Sequence, residues 1–489
     1  MLSRKAITKV QAAVIAVVVI IAVILGALAY TMMAPPATPT PATPTPATPT
    51  PATPTPATPT PATPTPLTPT PATPTPATPT PATPPISEIR YGTVQQLSGP
   101  LAMLGYYGLL GIQICVQWIN DHGGINFKGF KVPVKLIYYD CESDLQYAIR
   151  LAEKLIVEDK VNFFNPPWTP EFVLATVPVA EKYKIVSISP GGGADVEYQQ
   201  GFKYMIQFGI HGTTHFQYAL KMIHELDPSA KRVAFFQSDA DPGVFRTSVY
   251  NASKKYGFEI VYDKTYPEGI TDASTMLREV AALKPDVLVG GTFPASGMLI
   301  ARQIIELRIY VKWMMLDMVV NKVDFGQAFG KYAVGFLLDS PYEPEGKWEV
   351  YAAREGKEYI GPTNDEILEY WRKMGREERI RTETGMGVTG PAIMKKCVEL
   401  AQSLDSDKVI AAALSLDVYT CKGRLKLDPQ NPAHQIGLGG NPIVMQWQKA
   451  GNKLVYAIVY PSEFANALLV PMPTWEEKDS WPVLELAVK

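Results

Sequence analysis

Ser189-Pro190-Gly191-Gly192-Gly193 is the stretch of this chain best suited to meeting a negative charge with backbone alone. Three successive glycines leave amide N–H groups uncovered. At a strand-to-helix turn such amides point outward with the helix dipole behind them, which favours an anion. A plain tight turn would use the same residues. So would an oxyanion hole, but acyl transfer of that kind needs a Gly-x-Ser-x-Gly elbow, and the sequence contains none. The five histidines (His122, His211, His215, His224 and His434) carry no triad signature. His211 and His215 are spaced to share one helix face. With no third ligand adjacent, they read as a polar helix start before a metal site. Asp239 and Asp241, in Ser238-Asp239-Ala240-Asp241-Pro242-Gly243, add acidic character to another loop. Asn251-Ala252-Ser253 is an N-glycosylation sequon.

The elements that must position these residues alternate in type. Ile89–Gln95 reads as a strand, and Tyr107–Asn120 as a helix with Ile112, Val116 and Ile119 on one face. Val132–Tyr139 is the next strand, Leu145–Val157 a helix opened by Asp144, and Val161–Phe164 a strand. A helix over Glu171–Tyr183 and a strand over Ile185–Ile188 follow. A second series runs from helix Thr214–Leu226 through strands Arg232–Gln237, Glu259–Tyr266, Asp286–Gly290 and Val311–Leu316. Helices Phe245–Tyr256, Ala273–Leu283 and Ser296–Leu307 separate them. Strands separated by helices of this length make right-handed βαβ units and parallel sheets. The expected fold class is therefore α/β, with two doubly wound lobes in tandem and ligand access at the carboxyl ends of the strands.

The 489 residues carry a formal net charge of −2, which gives no electrostatic case for nucleic acid. Ala12–Ala29 is an apolar run of about 18 residues, near the lower limit for spanning a bilayer. Arg4, Lys5 and Lys9 precede it, which keeps the N-terminus cytoplasmic and sends the rest outside. A cleaved secretory signal competes, with Ala27-Leu28-Ala29 as its cleavage site. From Ala34 to Pro85 the chain repeats Ala-Thr-Pro-Thr-Pro. Proline at alternate positions excludes helix and central strand and imposes polyproline II, about 3.1 Å per residue. Residues 1–33 thus read as signal or membrane anchor and 34–86 as a Thr/Pro stalk. Cys115, Cys141, Cys397 and Cys421 match no zinc spacing; Cys397 with Cys421 is the favoured bridge if any forms, and buried free thiols are the alternative.

Gln96-Leu97-Ser98-Gly99-Pro100 with Leu104-Gly105, Trp118-Ile119-Asn120-Asp121-His122-Gly123-Gly124-Ile125, and Tyr139-Asp140-Cys141-Glu142-Ser143-Asp144 come in that order. Val179-Ala180-Glu181, Ile188-Ser189-Pro190, Tyr266-Pro267 with Thr271-Asp272, Lys284-Pro285-Asp286 and Pro442-Ile443-Val444-Met445-Gln446-Trp447 follow. Together they resemble the leucine/isoleucine/valine-binding proteins, the type I solute receptors of ABC transporters. Arg4-Lys5-Ala6-Ile7-Thr8 resembles the prepilin-like signals of archaeal surface binding proteins, which implies cleavage after Ala6 and a retained anchor.

The resemblance implies a Venus-flytrap receptor with crossings near Gly209, Leu338 and Asn441. One lobe would hold residues 87–208 with 339–440, the other 209–338 with 441–470; the tail 471–489 has no family counterpart. Pro341–Glu383 would add two exposed helices. Ser189, Gly191, Gly192 and Gly193 fall where family members hold a ligand carboxylate, although Gly193 replaces the usual threonine. Trp168 and Thr169 lie in the family's contact loop, as a stacking face and a donor. Asp317 matches the ammonium-binding glutamate, one methylene shorter. Two family tyrosines are missing: one position holds Pro242, the other falls at Thr292 or Phe293. The implied function is extracellular capture of an amino acid (branched-chain type) or similar small molecule for an ABC permease and its ATPase, with a surface sensor or interaction module on the same scaffold as the alternative, and with no cofactor, metal, nucleic acid or catalytic residue.

Overall fold

Short apolar strands bounded by capped helices build two parallel sheets. The helix Leu145–Val157 shows the local logic. Asp144 accepts a hydrogen bond from the Tyr147 amide at 2.5 Å, and Ala148, Leu151, Ala152, Leu155 and Ile156 line the buried face. Strand Val287–Gly291 is buried along its whole length, as a strand covered on both faces must be. The computed structural model describes residues 84–191, 195–209, 215–241, 243–429, 431–435, 443–462 and 464–487. The anchor, residues 34–83 of the stalk, Gly192, Gly193, His211, Pro242 and Asn441 lie outside the described residues.

The first sheet runs Val134–Asp140, Ile89–Gln95, Phe163–Asn165, Val186–Ser189, Met205–Gln207, every neighbouring pair parallel. The second runs Trp313–Leu316, Val287–Gly291, Arg232–Ser238, Glu259–Tyr266, also parallel throughout. Each is doubly wound: chain order reverses beside the strand that starts the series. Those reversals, next to Ile89–Gln95 and next to Arg232–Ser238, open crevices outside the strands' carboxyl ends. A bridge from Met314 to Phe336 joins the second sheet to Leu337–Ser340. That strand pairs antiparallel with Ile443–Ala450, which hairpins into Lys453–Tyr460.

Between Ser340 and Ile443 the chain returns to the first sheet. Its helix Thr382–Ala401 lies against Ala102–Asp121 at a separation only glycine permits. A Cβ on Gly111 would come within 1.9 Å of the Thr384 carbonyl oxygen, and one on Gly387 within 2.2 Å of the Gly108 carbonyl oxygen. Ala102–Asp121 is the one helix among the described residues long and apolar enough to cross a membrane; more than half of it is buried in the fold. Separate apolar cores underlie the two sheets, one around Phe235, Val289 and Trp447, the other around Tyr91, Ile114 and Trp371.

Several expectations change. All four cysteines are buried free thiols, so Cys397 and Cys421 form no bridge. Cys421 lies instead within hydrogen-bonding reach of the Gly385 carbonyl and the Thr389 hydroxyl, both at 3.4 Å. The Ala102–Asp121 helix starts five residues before Tyr107, carrying Ala102, Met103 and Leu104 into its first turn. The helices Trp348–Arg354 and Asn364–Lys373 are not free-standing, because Trp348 and Trp371 are both buried. The tail docks on the second core: Trp475 is buried, and Glu485–Leu486 adds a parallel strand beside Lys453–Tyr460.

The glycine contact gives a direct check. Gly111→Ala must push the two helices apart and should cost about 1–3 kcal/mol in urea unfolding. Gly269→Ala, where a Cβ meets open space, should change stability by less than about 0.5 kcal/mol.

Candidate functional site

The first sheet's crevice is built around Gln96, the residue after strand Ile89–Gln95. Its buried amide clamps the loop after Phe163–Asn165, donating to the Trp168 carbonyl at 2.8 Å and accepting from the Trp168 amide at 3.2 Å. Gly105 leaves room for this, since a Cβ there would lie 2.1 Å from the Gln96 carbonyl oxygen. Trp168 is 8 % exposed, and its indole N–H, packed over Gly108, has no partner among the described residues. Thr169 caps the helix Pro170–Lys182 with φ +75° and ψ 147°, a conformation costly for a residue with a Cβ. Its buried hydroxyl is also unpartnered among the described residues. Backbone strain and an unpartnered buried donor thus fall on one residue.

Gly191 packs against Trp168; a Cβ there would sit 3.0 Å from the Trp168 Cα. Its carbonyl is held by the Gln207 side-chain amide at 2.7 Å and the Ser189 hydroxyl at 3.2 Å. Ser189 is thus turned into its own loop and spends its donor there. Trp168, Thr169, Ser189 and Gly191 are brought together in this crevice.

The second sheet's crevice gathers Thr292, Phe293 and Asp317. Thr292 is buried, and its hydroxyl donates to the Asp317 carbonyl at 2.6 Å. It therefore fixes the strand end and has its donor engaged there. Phe293 is half-buried and faces Phe245 at 6.4 Å between ring centres. Asp317 is 5 % exposed; Oδ1 accepts from the Met318 amide at 2.8 Å, and Oδ2 lies 3.0 Å from His215 Nδ1. That ion pair was not legible in the sequence, where His215 read as a helix start beside His211. The histidine's place shortly after Gly209, where the resemblance implied a crossing, was the available signal.

His215 faces three acids. Burial pushes its pKa down, but Asp317, Asp339 and Asp241 outweigh that and hold it above the ordinary histidine value. Burial raises Asp339 to about 7, although it accepts from the Tyr218 and Ala219 amides at 3.0 and 2.7 Å. Burial likewise raises Asp241, whose carboxylate accepts from the Gly243 and Phe245 amides at 2.9 and 3.2 Å. Among the described residues no group of three or more His, Cys, Asp or Glu side chains is disposed to hold a metal ion. The two crevices differ in character: unpaired neutral donors on one side, carboxylates around a single imidazole on the other.

A family model of periplasmic binding proteins matches residues 88–452, and the chain belongs to that family. It is 24 % identical over 399 residues to Leu/Ile/Val-binding protein homolog 8 of Brucella abortus, covering 78 % of this chain and 93 % of that protein. Its fold is similar to the branched-chain amino acid transporter substrate-binding protein of Streptococcus pneumoniae in complex with isoleucine (TM-score 0.58, 19 % identity, 76 % and 100 % of the two chains). It is also similar to an ABC-transporter solute-binding protein of R. palustris in complex with 4-hydroxybenzoate (TM-score 0.59, 18 % identity, 76 % and 96 % covered).

The His215–Asp317 pair has a measurable signature. Because the folded pKa of His215 is raised, the pair's stabilisation is complete below about pH 6 and is lost as pH rises through the folded value. NMR titration should place His215 above its ordinary value, and Asp317→Asn should move it down.

Proposed function

We propose that this protein is an extracellular solute receptor of an ABC importer, taking an amino acid of the branched-chain type or a related small zwitterion or amide. The observation that carries the reading is the opposite character of the two crevices. The glycine turn 189–193, Thr169 and Trp168 suit a carboxylate, with the Trp168 ring as an apolar face. Asp317 suits an ammonium, and Phe293 supplies a second apolar face. In this reading His215 holds the place of the ammonium on Asp317, so a zwitterion must share or displace it. Ligand bridging the lobes shifts an open–closed equilibrium toward closed, with Gly209, Leu338 and Asn441 at the crossings. The closed form presents a composite face to a permease and its ATPase. The apolar run Ala12–Ala29 tethers the receptor, and the Thr/Pro stalk holds it off the bilayer. No covalent step is needed: micromolar affinity requires only about −8 kcal/mol.

A second reading rests on the same ion pair. With Asp317 already facing His215, a carboxylate lacking an ammonium needs nothing from Asp317, and the R. palustris neighbour holds such an acid.

Calorimetric titration with branched-chain amino acids, small amides and aromatic acids separates the two. Under the first reading an amino acid binds at micromolar affinity, and Asp317→Asn weakens it about 10- to 100-fold. An aromatic acid bound in preference, and indifferent to Asp317→Asn, selects the second. Absence of any saturable ligand sinks both.

A further inference from the structure

Asn251-Ala252-Ser253 is a motif that neither crevice uses, and no other Asn-x-Ser/Thr sequon occurs in the sequence. It falls in the helix Val244–Tyr256. Thr247, Tyr250, Asn251, Lys254 and Lys255 are all exposed there, at the spacing of one helix face. The opposite face, with Phe245, Ser248, Val249, Ala252 and Ser253, is buried. Asn251 comes seven residues after Val244, which puts it about 10 Å along the axis from the helix end that meets Asp241. A bulky group on its amide would stand in solvent, away from the second sheet's crevice.

Ser253 is the unusual member of the motif. It is 3 % exposed, and its hydroxyl is buried with no partner among the described residues. Other helical hydroxyls of this protein are spent on the carbonyl four residues earlier: Thr176 on Phe172 at 2.8 Å, Thr247 on Gly243 at 2.8 Å, Thr389 on Gly385 at 3.1 Å. Ser253 makes no such bond. A buried hydroxyl left unpaired destabilises a fold relative to alanine, so packing gives no reason for a serine here. Chemistry done before the helix forms does give one. A hydroxyl two places after asparagine is what an oligosaccharyl transferase reads.

We propose that Asn251 carries an N-linked oligosaccharide, and that Ser253 serves the transferase that attaches it. Such a transfer requires the extracellular placement proposed above. The Asn251 side-chain nitrogen bonds to the anomeric carbon of a lipid-phosphate-linked oligosaccharide. The bond from that carbon to the phosphate oxygen breaks, and the lipid phosphate leaves with the electron pair and takes up the proton that the nitrogen loses. Positions i and i+2 lie on different sides of a helix, so asparagine and serine cannot be read together once Val244–Tyr256 has formed. Transfer therefore precedes folding of this helix. The sugar then stays outside, and the hydroxyl is buried with nothing left to do.

Mass spectrometry of the full-length protein from the cells that make it tests this, on the tryptic peptide that starts at Thr247. Most of that peptide should carry a saccharide on Asn251. Asn251→Gln and Ser253→Ala should abolish the modification, and Ser253→Thr should keep it. Made in a host without the transferase, the Ser253→Ala variant should melt at the same temperature as the parent protein or higher, since the lost hydroxyl breaks no bond. A bare peptide, from protein that added protease can reach on intact cells, would overturn the proposal and leave the receptor reading standing. A lower melting temperature for unmodified Ser253→Ala would overturn it too, because the hydroxyl would then serve the fold. Protein beyond the reach of external protease would sink the extracellular placement and the oligosaccharide together.

Discussion

Carboxylates crowded at one strand end cannot all stay ionised in a partly dry crevice unless something positive or hydrogen-donating answers them. In this protein Asp241, Asp317 and Asp339 converge on His215, and the fold answers each by a different route. Asp339 is bound by the first amides of the helix Gln217–Leu226, and Asp241 by amides opening Val244–Tyr256. Asp317 alone is hydrogen-bonded to a side chain that can carry positive charge, His215. The second sheet's crevice therefore carries its own imidazole against a carboxylate.

The first sheet's crevice poses the complementary problem. It must keep donors idle without collapsing. Gln96 clamps the Trp168 backbone, Gly105 and Gly108 clear space beneath it, and Gln207 together with Ser189 pins Gly191. The strain at Thr169 is tolerated because these neighbours over-determine its position. Behind the crevice, the glycine-mediated contact of Ala102–Asp121 with Thr382–Ala401 ties the returning segment to the first sheet.

Much of this architecture was readable from local pattern. Asp144 before a run of properly spaced apolar residues located Leu145–Val157 to the residue, and Glu259–Tyr266 was equally clear. Alternating strand and helix periods fixed the α/β class and placed the loops after the strands as binding loops. Where sequence reading failed, the cause was contact between distant segments. Ala102–Leu104 joins the first helix although its glycines weaken the helical signal; packing overrides propensity there. Nor does any local pattern mark Lys422 and Lys478, both buried and donating to backbone carbonyls, of Phe208 and Tyr332. Burial lowers each to about 7.

The sequence by itself determined the element types, the parallel sheets and the loops where a small guest could be met. Those follow from periodicity, from glycine and proline, and from which residues can cap. Only the tertiary structure decided which polar groups are spoken for. His215 and Asp317 are 102 positions apart in the chain, and Ser189 gives up its donor to a neighbouring carbonyl. Such assignments depend on separations of a few ångströms that are settled only when the chain has packed.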